Sequence, residues 1–322
     1  MTTLLHPLTA ALSLASPAGA RARLAILIYH RVLPAPDPLL PDTPDVATFD
    51  WQMSLLARHF RVLPLAEAGR LLREGRLPAR AACITFDDGY ADNLTEALPI
   101  LHRHQLPATF FIASGYLDGR RMFNDTLTEL VRRLPPGEVD LAESGLGRPV
   151  LTDTASRRAL IRTLVGQFKY QPLVERSQAV DALAQRYGVT LPDDLMLSTA
   201  QLRTLAAAEG VEIGGHTCRH PILARLSPAD AEQEIRVGKA ELEERLERRV
   251  RLFAYPNGRP GKDYTPEHAE MVRSCGFDLA VSTAPAAADR HSDPFQLPRF
   301  TPWDATPARF GLRMLRTLAR RA

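Results

Sequence analysis

The chain repeats one arrangement: a short apolar run, a reactive side chain at or just past its end, then a stretch with helical spacing. Leu24–Tyr29 (LAILIY) leads to His30, and Ala82–Phe86 (ACITF) leads to the adjacent Asp87 and Asp88. Val211 and Ile213 lead to His216, Arg251–Tyr255 to Pro256-Asn257-Gly258, and Gln296–Phe300 carries Arg299. Ala108–Ala113 and Phe277–Thr283 are further apolar runs. Between them, Phe49, Met53, Leu56 and Phe60, then Leu94, Leu98 and Leu101, recur at helical intervals. A helix over Leu202–Ala208 is expected to stop at Gly210. Ser227-Pro228-Ala229-Asp230 opens another, running to about Arg248. Thr265-Pro266 opens a third, closed by Gly276. Strands alternating with helices imply a parallel sheet. Some seven such units predict an α/β fold, a distorted (β/α) barrel, in which side chains at strand ends converge. Residues 118–195 break the rhythm: they are charge-rich, with helical patterns at 155–168 and 173–187, and are expected to form a mostly helical insertion.

Two strings carry the chemistry, Thr85-Phe86-Asp87-Asp88-Gly89-Tyr90 and His216-Thr217-Cys218-Arg219-His220-Pro221. Adjacent carboxylates at the end of a buried strand repel each other, and a cation relieves that repulsion. One carboxylate with two imidazoles is a three-ligand set that leaves a metal an open position for water. The second carboxylate is then free to act as a base, the equipment of metal-assisted hydrolysis. Asp-Asp-Gly alone would read as a turn and His-x₃-His alone as two surface histidines; it is their joint placement at strand ends that raises them above those readings. Cys218, between the histidines, points away from their shared face at such spacing.

Composition narrows the partners. Forty basic and 37 acidic residues give a net charge of +3, too balanced to argue for nucleic acid. Three cysteines make no disulfide framework and favour a reducing compartment. No Lys or Arg precedes the mildly apolar residues 4–15, so a secretory signal is disfavoured despite Ala18-Gly19-Ala20, and no run is long enough for a membrane span. A cytoplasmic location is expected. Arg309, Arg313, Arg316 and Arg320 line one helical face, which allows association with an anionic membrane surface but more often marks a solvated face.

The chain resembles the polysaccharide deacetylases of carbohydrate esterase family 4, with a NodB homology domain. Five stretches carry the resemblance: ILIYHRV (26–32), CITFDDGYADN (83–93), LPATFFIA (106–113), GGHTCRHP (214–221) and FAYPNG (253–258). It implies one barrel spanning residues 1–322, with the motif-bearing core at about 81–304 and the insertion at 118–195. It also implies that Asp88, His216 and His220 bind a divalent metal, most often zinc, with cobalt or nickel as alternatives. Asp87 would be the general base toward water. The backbone N–H of Asn257, where the family usually has Tyr, would help hold the oxyanion. The implied reaction removes the N-acetyl group of an amino sugar in a polysaccharide, oligosaccharide or lipid-linked precursor, releasing acetate.

The sequence departs from the family pattern twice. The arginine that usually orients the base is replaced by Ala254, and the late Leu-x-His that supplies the general acid reads Leu297-Pro298-Arg299. We expect Arg299 to take over the tether to Asp87 and His30 to serve as the acid, with His291 as a rival. Tyr90, Asn257 and Trp303 are candidates for substrate contact, followed by Met122, Phe123, Asn124, Asp125 and Trp51. Two other functions remain open from sequence: hydrolysis of a small non-sugar amide, and a catalytically weak sugar-binding relative.

Overall fold

The structure is a computed structural model that describes residues 7–142 and 145–319. Arg320 and residues 4–6 of the apolar N-terminal stretch lie outside the described residues. The elements run in the order α1 (Pro7–Ala15), β1 (Leu24–Tyr29), α2 (Val46–His59), β2 (Arg61–Val62), α3 (Leu65–Arg73), β3 (Ala81–Phe86), a π-turn (Asn93–Ala97) into α4 (Leu98–Arg103), and β4 (Ala108–Ile112). An excursion follows: α5 (Phe123–Arg133), the short pair β5 (Gly137–Glu138) and β6 (Val150–Leu151), α6 (Thr154–Phe168) and α7 (Leu173–Arg186). Then come α8 (Thr199–Ala207), β7 (Val211–Gly215), α9 (Pro228–Leu246), β8 (Leu252–Ala254), α10 (Pro266–Ser274), β9 (Leu279–Val281) and α11 (Pro307–Ala319).

Six strands curl into one parallel sheet in the order β1-β3-β4-β7-β8-β9, and β2 pairs in parallel with the start of β3. The expected last strand, Gln296–Phe300, is reduced to two bridges, Val281 with Leu297 and Leu27 with Phe300. Pro298 has no N–H to give to a ladder, which is why pairing is confined to its flanks. Those flanks still span the gap. Leu297 bonds to Ala280 and Ser282 on one side, and Phe300 to Ile26 and Ile28 on the other. The segment thus closes the curl between its last strand and its first.

Side chains alternate between two cores, as the two-residue period of a strand requires. Leu24, Ile26, Cys83, Phe111, Leu252 and Val281 form one cluster with Leu65, Ala68 and Leu72 of α3. Leu24, Ala81, Leu252 and Leu279 are the first residues of their strands, so α3 covers the sheet at its N-terminal end and the opposite end is left for chemistry. The Glu212 carboxylate fixes that cover by accepting from the N–H of Leu65 (2.7 Å) and from Thr109 Oγ1 (2.8 Å). Ala25, Leu27, Tyr29, Ile84, Phe86 and Phe110 face the surrounding helices, with Phe49, Met53 and Leu56 of α2.

Two N-terminal and C-terminal helices join this outer layer. Leu12 of α1 and Phe310, Met314 and Leu318 of α11 are fully buried in it. Trp51 packs edge-on against Phe310 at 5.7 Å, so it is a packing residue. The insertion has its own apolar cluster, with Leu127, Leu130 and Val131 of α5 against Leu160, Leu164 and Phe168 of α6 and Val180 and Leu183 of α7. Its small β-ribbon escaped the sequence reading because each strand is only two residues long. No described helix is long and apolar enough to cross a membrane.

Candidate active site

Asp87 and Asp88 leave the end of β3 into a cleft of about 510 Å³, and both are nearly fully buried. Asp87 continues the ladder by donating its N–H to the carbonyl of Tyr29. Its carboxylate is gripped from the closing segment. Arg299 donates from Nη1 to Oδ1 at 2.7 Å and from Nη2 to Oδ2 at 2.8 Å, a bidentate pair of the stronger kind. The guanidinium is wholly shielded from solvent and is itself held by Thr85 Oγ1 (3.0 Å) and the Ser282 carbonyl (3.0 Å). Burial pushes the Asp87 carboxyl toward protonation, but Arg299 outweighs it, so the pKa lies below the ordinary value.

Asp88 has no such cation. Its Oδ1 is buried without a hydrogen-bond donor and lies 3.5 Å from His216 Nε2 and 3.4 Å from His220 Nε2. His216 donates from Nδ1 to the carbonyl of Ala254 at 2.7 Å, which leaves the Nε2 lone pair turned to the carboxylate. Burial opposes charge on both rings. On His220 it prevails and pushes the pKa down to about 3; on His216 Asp87 and Asp88 outweigh it and raise the pKa. His220 resists protonation, so His216 is the one ring that can offer Asp88 a counter-charge, and a divalent cation would serve the carboxylate and both rings together. One ligand atom from each of Asp88, His216 and His220 lies within 4.8 Å of the others. Orphaned oxygen, fixed tautomer and mutual spacing all fit a small divalent cation.

The backbone is bent to make this meeting possible. Among the described residues, eight other than glycine adopt left-handed φ, and four of them lie here: Asp88 (76°), Thr217 (63°), His220 (52°) and Asn257 (58°). For a β-branched Thr this is a costly conformation, and such strain persists only where the surroundings over-determine it. Thr217 Oγ1 bonds the His216 carbonyl (2.5 Å) and accepts from the His220 N–H (3.1 Å). From α9, the Glu234 carbonyl accepts from the Cys218 N–H and its side chain holds Arg219. Gly238 lets that helix lie directly on the turn: a Cβ there would meet the Thr217 carbonyl carbon at 2.5 Å. Cys218 turns toward Glu241, away from the cleft, as its spacing implied.

His30 lines the same cleft and is exposed to solvent. Asn93 Nδ2 donates to the His30 carbonyl at 2.8 Å, and Asp92 pairs with Arg31 at 2.7 Å, so the π-turn after β3 fixes the turn after β1. Asn257 also lines the cleft. Tyr90 does too, but its hydroxyl is committed to Asp125 (3.1 Å to each oxygen) and its ring lies under the Arg31 guanidinium. Met122, Phe123, Asn124 and Asp125 form the wall supplied by the insertion.

Besides Trp51, two candidates lie elsewhere. Trp303 is 66% exposed and outside the cleft wall, which takes Thr301 from the same segment; the run of loop after Phe300 carries the indole past the opening. His291 pairs with Arg290 on the surface and is likewise absent from the wall. Arg31, Glu129, Lys169 and Arg176 join the lining without having been singled out from sequence. Arg31 had a signal in its adjacency to His30; the other three come from insertion helices whose docking no local pattern encodes.

Residues 74–159 and 177–280 match the polysaccharide deacetylase family. The chain belongs to that family, whose members are hydrolases of carbon–nitrogen bonds other than peptide bonds, acting on acetylated glycans. The Bacillus subtilis (strain 168) protein YxkH is 21% identical over 279 residues, covering 86% of this chain and 71% of its own. Among solved structures, the Streptococcus pyogenes deacetylase PplD, in complex with acetate, aligns over 92% of this chain and 98% of its own, with a TM-score of 0.60 and 19% identity. IcaB from Ammonifex degensii aligns over 95% and 99%, with a TM-score of 0.59 and 20% identity. These structures share the barrel-like fold expected from sequence.

Proposed function

We propose that this protein is a metal-dependent N-deacetylase that releases acetate from an N-acetylated amino sugar in a glycan or lipid-linked precursor. The observation that carries the reading is the Arg299 fork on Asp87 beside the Asp88, His216 and His220 donor set. One carboxylate is held ionised and oriented while its neighbour is left for a cation. A divalent metal, zinc in this reading, would be held by Asp88 Oδ1 and the two Nε2 atoms and would supply Lewis acidity toward water and the acetyl carbonyl.

The residues divide the remaining work. Asp87 accepts a proton from the attacking water, and Arg299 keeps its carboxylate ionised and aimed. The Asn257 N–H donates to the oxygen of the acetyl carbonyl as negative charge develops there. His30 donates a proton to the sugar nitrogen as the C–N bond breaks, giving acetate and a free amine. Retention of both carboxylates and both histidines favours this reading over a silent sugar-binding relative.

The test is acetate release from N-acetylglucosamine oligomers by wild type and by Asp87→Asn, with metal analysis of both. The expected result is metal in both proteins and turnover in wild type alone. Stoichiometric metal in a wild type that releases no acetate from any N-acetylated glycan would sink the proposal.

A further inference from the structure

The active-site cleft continues past the His220-Pro221-Ile222 turn into a second hollow of about 300 Å³, and the two share Lys169, Arg176 and Ile222 as walls. This extension is basic. Arg176 is only 4% exposed, yet its Nε has no hydrogen-bond partner and no carboxylate pairs with it among the described residues. It lies over the Phe123 ring at 4.2 Å, and the neighbouring Tyr116 hydroxyl is spent on the Arg219 carbonyl. Lys169 and Arg225 flank the Tyr170 ring, at 6.0 and 5.3 Å, again without an ion pair among the described residues.

A backbone feature points the same way. The fourteen-residue α7 begins at this hollow, with Pro172 and Leu173 in its wall, and its N-cap residue, Pro172, makes no side-chain capping bond. The first N–H groups of a helix favour an anion. The start of α7 is shared: Pro172 and Leu173 also wall a neighbouring groove, and it is there that Glu175, Arg219 and Glu234 lie. Burying a guanidinium without a counter-charge is costly, and a bound anion offsets that cost.

We infer that this extension is a phosphate subsite, so that the preferred substrate carries a phosphate ester on the glycan being deacetylated. The inference names a substrate class for the reaction proposed above and rests on that reading. The ester can come from a soluble sugar phosphate or from the diphosphate of a lipid carrier, and both present the same oxygens to Arg176, Lys169, Arg225 and the start of α7.

Two measurements test it on the full-length protein. Calorimetry should show N-acetylglucosamine 1-phosphate binding about tenfold or more tightly than N-acetylglucosamine, as charge-assisted bonds to one group imply. Lys169→Gln and Arg225→Gln, at positions exposed enough to fold normally, should each erase most of that preference; Arg176→Gln should do so too, with a thermal melt to establish folding. In turnover, the ratio of kcat/KM for phosphate-bearing over neutral substrate should fall by a similar factor in these variants. A preference seen with a short-chain lipid diphosphate sugar but not with the soluble phosphate assigns the anion to a lipid carrier.

No preference over the neutral sugar for either the soluble sugar phosphate or the short-chain lipid diphosphate sugar, or a preference unchanged in Lys169→Gln and Arg225→Gln, overturns the subsite. Phosphate binding that depends on these cations, in a protein that releases no acetate, upholds the subsite and removes the deacetylase reading instead.

Discussion

Arg299 reaches Asp87 from 212 residues away and grips both oxygens of a carboxylate that the family motif alone would leave without a tether. The position filled by Ala254 contributes no side-chain charge, but its carbonyl fixes His216. Replacing Arg299 with Met leaves a buried carboxylate uncompensated. We predict a loss of about 3–5 kcal/mol in urea unfolding. Arg299→Lys keeps the charge and loses the fork, so it should recover part of that stability but little of the acetate release. Near-normal turnover in the Lys variant would show that orientation of the base does not depend on the fork.

Removing the cation should have an unusual signature. Asp88 without a metal is a buried anion with an orphaned oxygen. Chelation should therefore lower the melting temperature of wild type, and excess zinc should restore it, by about 2.7 kcal/mol at a hundredfold excess over Kd. Asp88→Asn and His220→Ala should lose stoichiometric metal. In chelator the stability gap between wild type and Asp88→Asn should narrow, because the metal no longer adds to wild type alone; a gap unchanged by chelation would contradict the reading of Asp88 as a cation's partner.

Gly238 offers a structural test of the metal turn. Alanine there would place a Cβ 2.5–2.7 Å from Thr217 and Cys218 backbone atoms. Gly238→Ala should cost about 1–3 kcal/mol through overpacking, with weaker metal binding. Gly166, inside α6, has nothing within 4 Å of an added Cβ. Gly166→Ala should instead stabilise by about 0.5–1 kcal/mol and leave metal affinity untouched. Isothermal titration and urea melts on the pair separate steric from generic glycine effects.

His30 is open to a leaving-group test. His30→Ala should keep its metal and lose most acetate release from amides. An ester whose p-nitrophenolate leaves without needing a proton should be hydrolysed by the variant at close to the wild-type rate. Undiminished amide turnover by His30→Ala would exclude it as the acid.

Asp125 gives a pH prediction. Burial pushes its carboxyl up to about 7, with Asp88 and Glu129 adding to the rise and Arg31 and the Tyr90 hydroxyl opposing it. The folded protein then keeps a proton that the unfolded chain releases near its ordinary 3.8. The unfolded state binds fewer protons between about pH 4 and 7, so stability should fall as pH rises through that window. In chelator, Asp125→Asn should flatten this slope, worth on the order of 2–4 kcal/mol. An unchanged slope would place the titration elsewhere.

Much of this site was legible because the candidate side chains follow buried strands, and strands announce themselves as apolar runs. His30, Asp87, Asp88, His216, Asn257 and Arg299 were located that way, and the structure gathers all six around one cleft. The alternation failed where geometry depends on single residues. Pro298 reduces the last strand to bridges that no propensity reading foresaw. Trp303 sits three residues past Phe300, and nothing in its neighbours tells which way the loop carries it. Arg176 and Lys169 enter the cleft only because the insertion helices dock on the barrel, a tertiary event with no periodic signature.

The closing segment also sets an order of assembly. Synthesis is vectorial, and domains fold as units behind it. Once residue 220 has emerged, the chain holds every group of the donor set. Asp87 waits for its guanidinium until residue 299, which arrives together with the bonds that join Leu297 to β9 and Phe300 to β1. Closure of the barrel and the gripping of Asp87 are therefore one event in the life of the nascent chain, and a ribosome paused before that point would hold Asp87 without its guanidinium.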